Sequence, residues 1–377
     1  MVWSLALVFP HLYRTGTNVV TRTYHFAAQN LVQGLSPYGF LGENTDVFKY
    51  SPLFAYLYFP LTLLPSSWEA IVFATLNCLI FWFGFFLWAG NAPRRWGIIF
   101  CGAVLASMEL DGSLRYQQVN AALVGGILFG VWAFKEFYEK TSGKVLALVA
   151  NFKILPLVFA GSLFFARKKK YIVSFFISSA VAVLVPTLFL GFEKSLEFHL
   201  QWLEILWRDG QVPIGILDLR SSLVRGGVDS RIAQILRIGV SLVSVFGLIW
   251  CGFQVKNHIK NKRNVDFELW LSLGLCFVLL VSPRTESPTF VLMAPVYFFL
   301  LKWIWNERFG NRFLFILRMS LFLSGAFWVS VSFNDLWPKS LWNPLDSNAI
   351  TKSFGLWILW FLAAEGLSRR KFLPQPK

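Results

Sequence analysis

Residues 171–190 read YIVSFFISSAVAVLVPTLFL, and the four residues before them, 167–170, read RKKK. A helix needs about 20 apolar residues to cross the hydrocarbon core of a bilayer. Lys and Arg in short loops collect on the cytoplasmic side of a membrane. This stretch therefore predicts a transmembrane helix that starts at the cytoplasmic face and ends on the outer side.

Apolar runs of near-spanning length recur along the rest of the chain. They lie at residues 69–88, 97–108, 119–134, 235–255, 267–281, 288–301, 313–332 and 354–366. With 56% hydrophobic and only 15% charged residues, a water-soluble fold has no way to bury this chain completely. The runs are too long for barrel strands and lack their period-two alternation. We predict an all-α integral membrane protein, a polytopic bundle of about 10–12 transmembrane or half-membrane helices, in one domain over residues 1–377.

The basic residues that give the net charge of +15 lie in short clusters between the apolar runs. Nucleic-acid-binding proteins instead concentrate such charge on one face or tail, so we expect no nucleic-acid partner. The clusters indicate topology, and they place residues 14–66 and 192–234 in large outer loops. We expect a multi-pass protein of the bacterial cytoplasmic (inner) membrane whose active site faces the periplasm or exterior. The four histidines are scattered without ligand spacing, so we expect no metal site.

Two apolar segments break the simple alternation of membrane spans. Residues 51–65 contain Pro60 and end at Pro65, which predicts a re-entrant or interfacial helix on the outer side. Residues 146–166 are interrupted by Asn151, Lys153 and Pro156, which predicts two short helices that meet at a break. Irregular backbone at membrane depth is tolerated where it lines a cavity. Lys153 is then either a site residue or a lysine that reaches the interface.

The first outer loop is the richest in polar groups that could carry chemistry. Glu43 and Asp46 lie in it, shortly before the apolar segment that begins at Ser51. A carboxylate held near the membrane surface is suited to act as general base for a sugar hydroxyl. The alternative is that each is a solvated loop charge.

Two arginines on the predicted outer side are candidate phosphate ligands, because a guanidinium group makes bidentate contacts with phosphate. Arg115 precedes the helix at 119–134, and Arg284 lies in the turn 282–287. Glu286 in the same turn is either a second carboxylate of the site or the ion-pair partner of Arg284.

Several short motifs occur in an order that resembles glycosyltransferase family 87. They are FKYSPL at 48–53, FPL at 59–61, LP at 64–65, QVN at 118–120, NFKILP at 151–156 and SP at 282–283. The resemblance covers roughly residues 24–300. Each motif is short, and their order and spacing together carry the match.

The resemblance implies the GT-C architecture, a helical membrane bundle with its active site beneath a large first outer loop. It implies transfer of a hexosyl group, mannosyl in the better-known members, from a polyprenyl-phosphate-linked donor to a lipid or glycan acceptor. Lys153 and Arg115 would hold the donor phosphate, with Arg284 as a further ligand. Residues expected to line the cavity are Tyr38, Lys49, Tyr50, Gln118 and Asn120. Lys and Arg alone can neutralise the leaving phosphate, so neither a metal nor another cofactor is required.

One departure from the family pattern concerns the base. Members usually carry an Asp early in the first loop, where this chain has Asn18 and no carboxylate before Glu43. Asp46 is our substitute for it, with Glu43 and Glu286 as further candidates. The His that often follows the Ser-Pro turn is absent as well. The alternatives are an inactive glycosyltransferase-like protein and a transporter or flippase of lipids or small solutes, since broken helices with a buried Lys also mark transport sites.

Overall fold

The computed structural model describes residues 2–39, 41–89, 96–154, 156–166, 168–210, 219–225, 227–261, 267–281, 287–330 and 344–369. These residues form helices and connecting loops, with no strand among them. They divide into two compact units. The first comprises Met1–Gly90 and Leu110–Gln211, and the second comprises Asn91–Glu109 and Val212–Lys377.

Ten helices contribute to the first unit as the structure describes it. They are α1 (Val2–Thr15), α2 (Val19–Val32), α3 (Pro52–Tyr58), α4 (Ser66–Ala89), the end of α5 (Trp96–Arg115), α6 (Asn120–Lys135), α7 (Glu139–Phe152), α8 (Leu157–Phe164), α9 (Lys169–Leu190) and α10 (Phe192–Gly210). A 3-10 helix, Phe59–Leu63, continues α3. The described part of the second unit holds the start of α5, a 3-10 helix (Ser287–Leu292) and six α-helices, α11 (Leu219–Arg225), α12 (Ser230–Asn261), α13 (Phe267–Val281), α14 (Met293–Asn306), α15 (Arg312–Ser330) and α16 (Pro344–Arg369).

Among the residues that the structure describes, five stretches are helical, long and apolar enough to cross a membrane. They are Ser66–Trp88, Lys169–Leu190, Ser230–Trp250, Thr289–Asn306 and Arg312–Val329. Many of their side chains are exposed although they are large and apolar, as lipid-facing residues are. The prediction of an all-α polytopic membrane protein is confirmed, and α9 covers the run 171–190 from which that prediction started.

Close helix contact in the first unit depends on glycine. A Cβ atom on Gly125 of α6 would lie 2.1 Å from the carbonyl oxygen of Ile80 on α4, and one on Gly84 would lie 2.3 Å from the carbonyl oxygen of Gly125. Lipid tails are as apolar as the helices, so van der Waals contact between backbones must supply much of the association energy. Small residues allow that contact here.

Both predicted breaks are present. Residues 51–65 form the short helix α3 and a 3-10 helix, neither of which is long enough to span a bilayer. The segment 146–166 divides into α7 and α8, with Lys153 in extended conformation (φ −146°, ψ 139°) between them. Proline lacks the N–H that a continuous helix would need at Pro156, so the helix stops before it.

The second unit contains a buried ionic cluster centred on Arg318, which is 4% exposed. Its guanidinium donates to Glu307 at 2.7 Å and to Glu365 at 2.9 Å, and lies 4.7 Å from the centre of the Trp303 ring. We call these four residues the Arg318 cluster. It joins α15 to α16 and to the end of α14, because each carboxylate comes from a different segment.

Candidate functional site

Lys153 lies at the break between α7 and α8, where its side chain leaves the helical path. Its ammonium group donates to Asn120 Oδ1 at 3.1 Å and lies 5.6 Å from the centre of the Tyr50 ring. Such a cation–π contact stabilises a partly desolvated ammonium group. The segment that precedes α3 and the break between α7 and α8 therefore meet at one half-buried lysine.

The amides at the start of α6 complete this arrangement. Asn120 is the first residue of α6 and is 1% exposed, and Gln118 is 8% exposed. The Asn120 amide nitrogen donates to Gln118 Oε1, which leaves Asn120 Oδ1 directed at the ammonium group. We call Lys153, Asn120, Gln118 and Tyr50 the Lys153 cluster. It unites four residues that the sequence predicted for one cavity.

Tyrosines pack behind the Lys153 cluster and hold Tyr50 in place. Tyr24 of α2 donates its phenolic hydrogen to the Tyr50 hydroxyl at 3.0 Å, and Tyr38 donates to the Tyr50 carbonyl at 2.9 Å. Burial raises the pKa of Tyr24 and of Tyr38 well above its usual value. Both phenols therefore stay neutral at physiological pH and act as donors.

The amphipathic helix α10 contacts the segment between α2 and α3 near both of its ends. Trp202 donates its indole N–H to the carbonyl of Lys49 at 3.1 Å, next to Tyr50. Lys194 donates to the carbonyl of Gly34 at 3.1 Å, and Ser36 donates to Gln201 at 2.6 Å. Lys49 is half-buried and precedes Tyr50 in the chain, so its backbone lies next to the Lys153 cluster.

The predicted loop carboxylates differ from these groups in their exposure. Glu43 and Asp46 are both exposed. One Asp46 oxygen accepts the amide hydrogen of Val47 at 2.7 Å, and the backbone N–H of Asp46 donates to Thr23 on α2 at 2.8 Å. The loop therefore attaches Asp46 to α2 through its backbone, while its carboxylate stays in solvent.

Arg115 is also exposed, at the end of α5. Its guanidinium contacts Asp111 at 2.8 Å, one helical turn earlier, and 43% of its side chain is accessible. An i,i+4 pair of this kind is a common feature of a solvated helix face. Arg284 and Glu286 lie outside the described residues.

A second polar cluster in the first unit was missed by the sequence interpretation. Glu69, in the first turn of α4, is 1% exposed. Its carboxylate lies 3.0 Å from His25 Nδ1 on α2 and accepts the Tyr58 hydroxyl hydrogen at 2.9 Å. We call these three residues the His25 cluster. The available signal was an acid near the start of an apolar run, at 69–88, where an ionisable residue calls for a partner.

Asn18, which stands where the family usually has Asp, caps α2. Its side-chain oxygen accepts the amide hydrogens of Val20 and Thr21. Gln117 has a positive φ of 54°. Its side-chain oxygen accepts the backbone N–H of Asn18 at 3.0 Å, and its side-chain nitrogen donates to the Gly16 carbonyl at 2.8 Å. The amide side chain of Asn18 is thus used as a helix cap, and Gln117 joins the end of α5 to the turn before α2.

These observations define a multi-pass helical membrane protein whose first unit brings together a half-buried cation, buried amides and a tyrosine. The model of glycosyltransferase family 87 matches residues 48–283, which is more than half of the chain, so the chain belongs to this family. The matched region contains the Lys153 cluster and both helix breaks. The protein is therefore a glycosyltransferase. A search of curated proteins found no significant match.

Proposed function

We propose that this glycosyltransferase is of the GT-C type and transfers a hexosyl residue, mannose first among the candidates, from a polyprenyl-phosphate-linked donor. The acceptor is a lipid or glycan, and the reaction takes place on the outer side of a bacterial cytoplasmic membrane. The contact of Lys153 with Asn120 and Tyr50 carries this proposal. It supplies a positive charge at a helix break, which suits the phosphate of a donor whose lipid chain stays in the bilayer.

In this proposal each member of the Lys153 cluster has a separate task. The ammonium group of Lys153 neutralises the charge that develops on the leaving phosphate, as fixed cations do in other transfer reactions. Asn120 holds that ammonium group, Gln118 orients Asn120, and the two residues present amide groups to sugar hydroxyls. Tyr50, fixed by Tyr24 and Tyr38, forms an aromatic wall beside the sugar. For the proton acceptor, Asp46 is the prediction from the sequence.

The test is sugar transfer in membranes that contain the full-length protein. Membranes would receive radiolabelled polyprenyl-phosphate hexoses, mannose first, and labelled lipid and glycan products would be separated. We expect wild type to form product and Lys153→Met to lose at least about 100-fold in turnover, because one lost charge contact to the transition state is worth a few kcal/mol. Lys170→Met is the matched control, since Lys170 is exposed on α9.

Three results would contradict the proposal. Full activity of Lys153→Met in well-expressed protein would remove the lysine from the site. Uptake of a solute without any transfer product from wild type would favour the transporter instead, and absence of both would indicate an inactive family member.

A further inference from the structure

Four polar side chains share one face of α2 and its N-cap because they follow one another at intervals of three or four residues. They are Asn18, Arg22, His25 and Gln29, and each is half-buried. The adjacent face of the helix is buried through Thr21, Tyr24 and Ala28. Because the side chains of this polar stripe are partly accessible beside a packed face, they border space that solvent or a ligand can enter. It is therefore a place where polar side chains can meet a substrate.

His25 is the chemically distinctive member of this stripe. Its Nδ1 lies 3.0 and 3.2 Å from the two Glu69 oxygens, while 24% of its side chain is accessible. Glu69 is itself held by the Tyr58 hydroxyl, so the carboxylate cannot turn away. A carboxylate that accepts the Nδ1 hydrogen fixes the neutral tautomer in which Nε2 has the free lone pair. Within the described part of the chain, His25 Nε2 forms no hydrogen bond.

Arg22 supports a ligand-binding role for the same stripe. It lies one turn before His25, and side chains at this spacing are neighbours on a helix surface. Arg22 forms no ion pair with any residue that the structure describes. A half-buried guanidinium group without a carboxylate partner favours an anionic group of a ligand beside His25.

We propose that His25 is the proton acceptor of the transfer reaction and that Glu69 is its positioning residue, which rests on the function proposed above. The acceptor hydroxyl loses its proton to His25 Nε2, and its oxygen forms the new bond to the anomeric carbon of the sugar. The bond from that carbon to the donor phosphate oxygen breaks, and the polyprenyl phosphate leaves with the electron pair. Imidazolium is then stabilised by the Glu69 carboxylate until the proton returns to solvent.

His25 fits this role better than Asp46 on geometric grounds. The Asp46 carboxylate is exposed and accepts its neighbour's amide hydrogen, so nothing buried orients it. His25 is oriented by a carboxylate that is 1% exposed and has a second partner. A fixed base within a partly dry site contributes more to catalysis than a mobile one in water.

The experiment compares His25→Ala with Asp46→Asn in the same transfer assay, with and without added imidazole. General-base catalysis contributes about 100- to 10,000-fold, so His25→Ala should lose at least about 100-fold in turnover. Imidazole in the buffer should restore at least about tenfold of that loss, because it replaces the missing base. Asp46→Asn tests the carboxylate that the sequence predicts as the base, and its loss of turnover should be smaller than that of His25→Ala. His199→Ala is the matched control, because His199 contacts only the Ser195 carbonyl among the hydrogen-bonding groups described.

Two further variants test the roles of His25 and Glu69 separately. If His25→Ala cannot be purified as folded protein, His25→Gln retains an amide that can donate to Glu69 and should fold, yet it should remain inactive. Glu69→Gln should lower turnover, leave the donor KM unchanged and fail to respond to imidazole, as expected for a positioning residue.

The possible outcomes separate this inference from the proposed function. Transfer by wild type and by both His25 variants, or loss in Asp46→Asn with retention in His25→Ala, would overturn the role of His25 and leave the proposed function standing. Loss in His25→Ala that imidazole does not restore would also overturn it. Wild type that transfers no hexose from any donor would overturn both.

Discussion

In the second unit Arg318 meets two carboxylates and an aromatic face, and in the first unit Glu69 meets an imidazole and a phenol. Both clusters place a charge among apolar helices, where an unpaired charge is expensive. They differ in how much of the central polar side chain is accessible to solvent. Arg318 is 4% exposed and its donors point at protein oxygens, whereas the side chain of His25 is 24% accessible.

The difference shows that burial of a charge is not by itself a sign of function. A cluster that uses its polar atoms internally connects helices, and its residues are expected to matter for stability. A cluster that keeps one oriented polar atom toward accessible space can act on another molecule. Variants in the two clusters should therefore separate stability from turnover.

The largest stability effect is expected at the closed cluster. Arg318→Met leaves Glu307 and Glu365 without their shared cation, and breaking a buried pair costs about 3–5 kcal/mol. Thermal unfolding in detergent should show a large fall in Tm, while turnover per folded molecule stays unchanged. Arg312→Met, at an exposed position on the same helix, is the control. A large loss of turnover in Arg318→Met that remains folded would contradict the division between the clusters.

The helices themselves followed from the sequence because their cause is local. The apolar run 267–281 became α13 with the same bounds, and the break before Pro156 became the junction of α7 and α8. The length of an apolar run and the effect of a proline on a helix are local properties, so each can be recognised from a single segment of the sequence. Lys153 was found in the same way, since an ionisable residue in an apolar segment stands out.

The polar partners could not be predicted because they come from distant segments. Glu69 is 44 residues from His25, and Glu365 is 47 residues from Arg318. No spacing in the sequence marks such pairs, and only the packing of α2 on α3 and α4 brings the His25 cluster together. The exposure of Asp46 likewise follows from how the loop attaches to Thr23, which its local sequence does not reveal.

A smaller effect on stability is expected at Tyr58, which supports Glu69. Tyr58→Phe removes a hydrogen bond to a buried carboxylate, and bonds to charged groups are worth about 1.5–3 kcal/mol. Turnover should also fall, by less than in Glu69→Gln, because the carboxylate keeps its contact with His25. Tyr171→Phe is the control, since Tyr171 donates to the neutral Ala160 carbonyl at 3.0 Å. Equal losses of stability with unchanged turnover in both variants would assign the His25 cluster to structure alone.

The smallest effect is expected at Arg115, whose guanidinium contacts Asp111 at the surface. Exposed i,i+4 ion pairs contribute about 0.3–0.5 kcal/mol, so Arg115→Gln should unfold close to wild type. The donor KM of this variant distinguishes a surface ion-pair role of Arg115 from a role in binding the donor phosphate. We expect it to stay near the wild-type value, because Asp111 occupies the guanidinium and 43% of the side chain lies in solvent. A tenfold rise would instead show that Arg115 leaves Asp111 for the donor phosphate, as the family resemblance implies, and would extend the site from the Lys153 cluster to the end of α5.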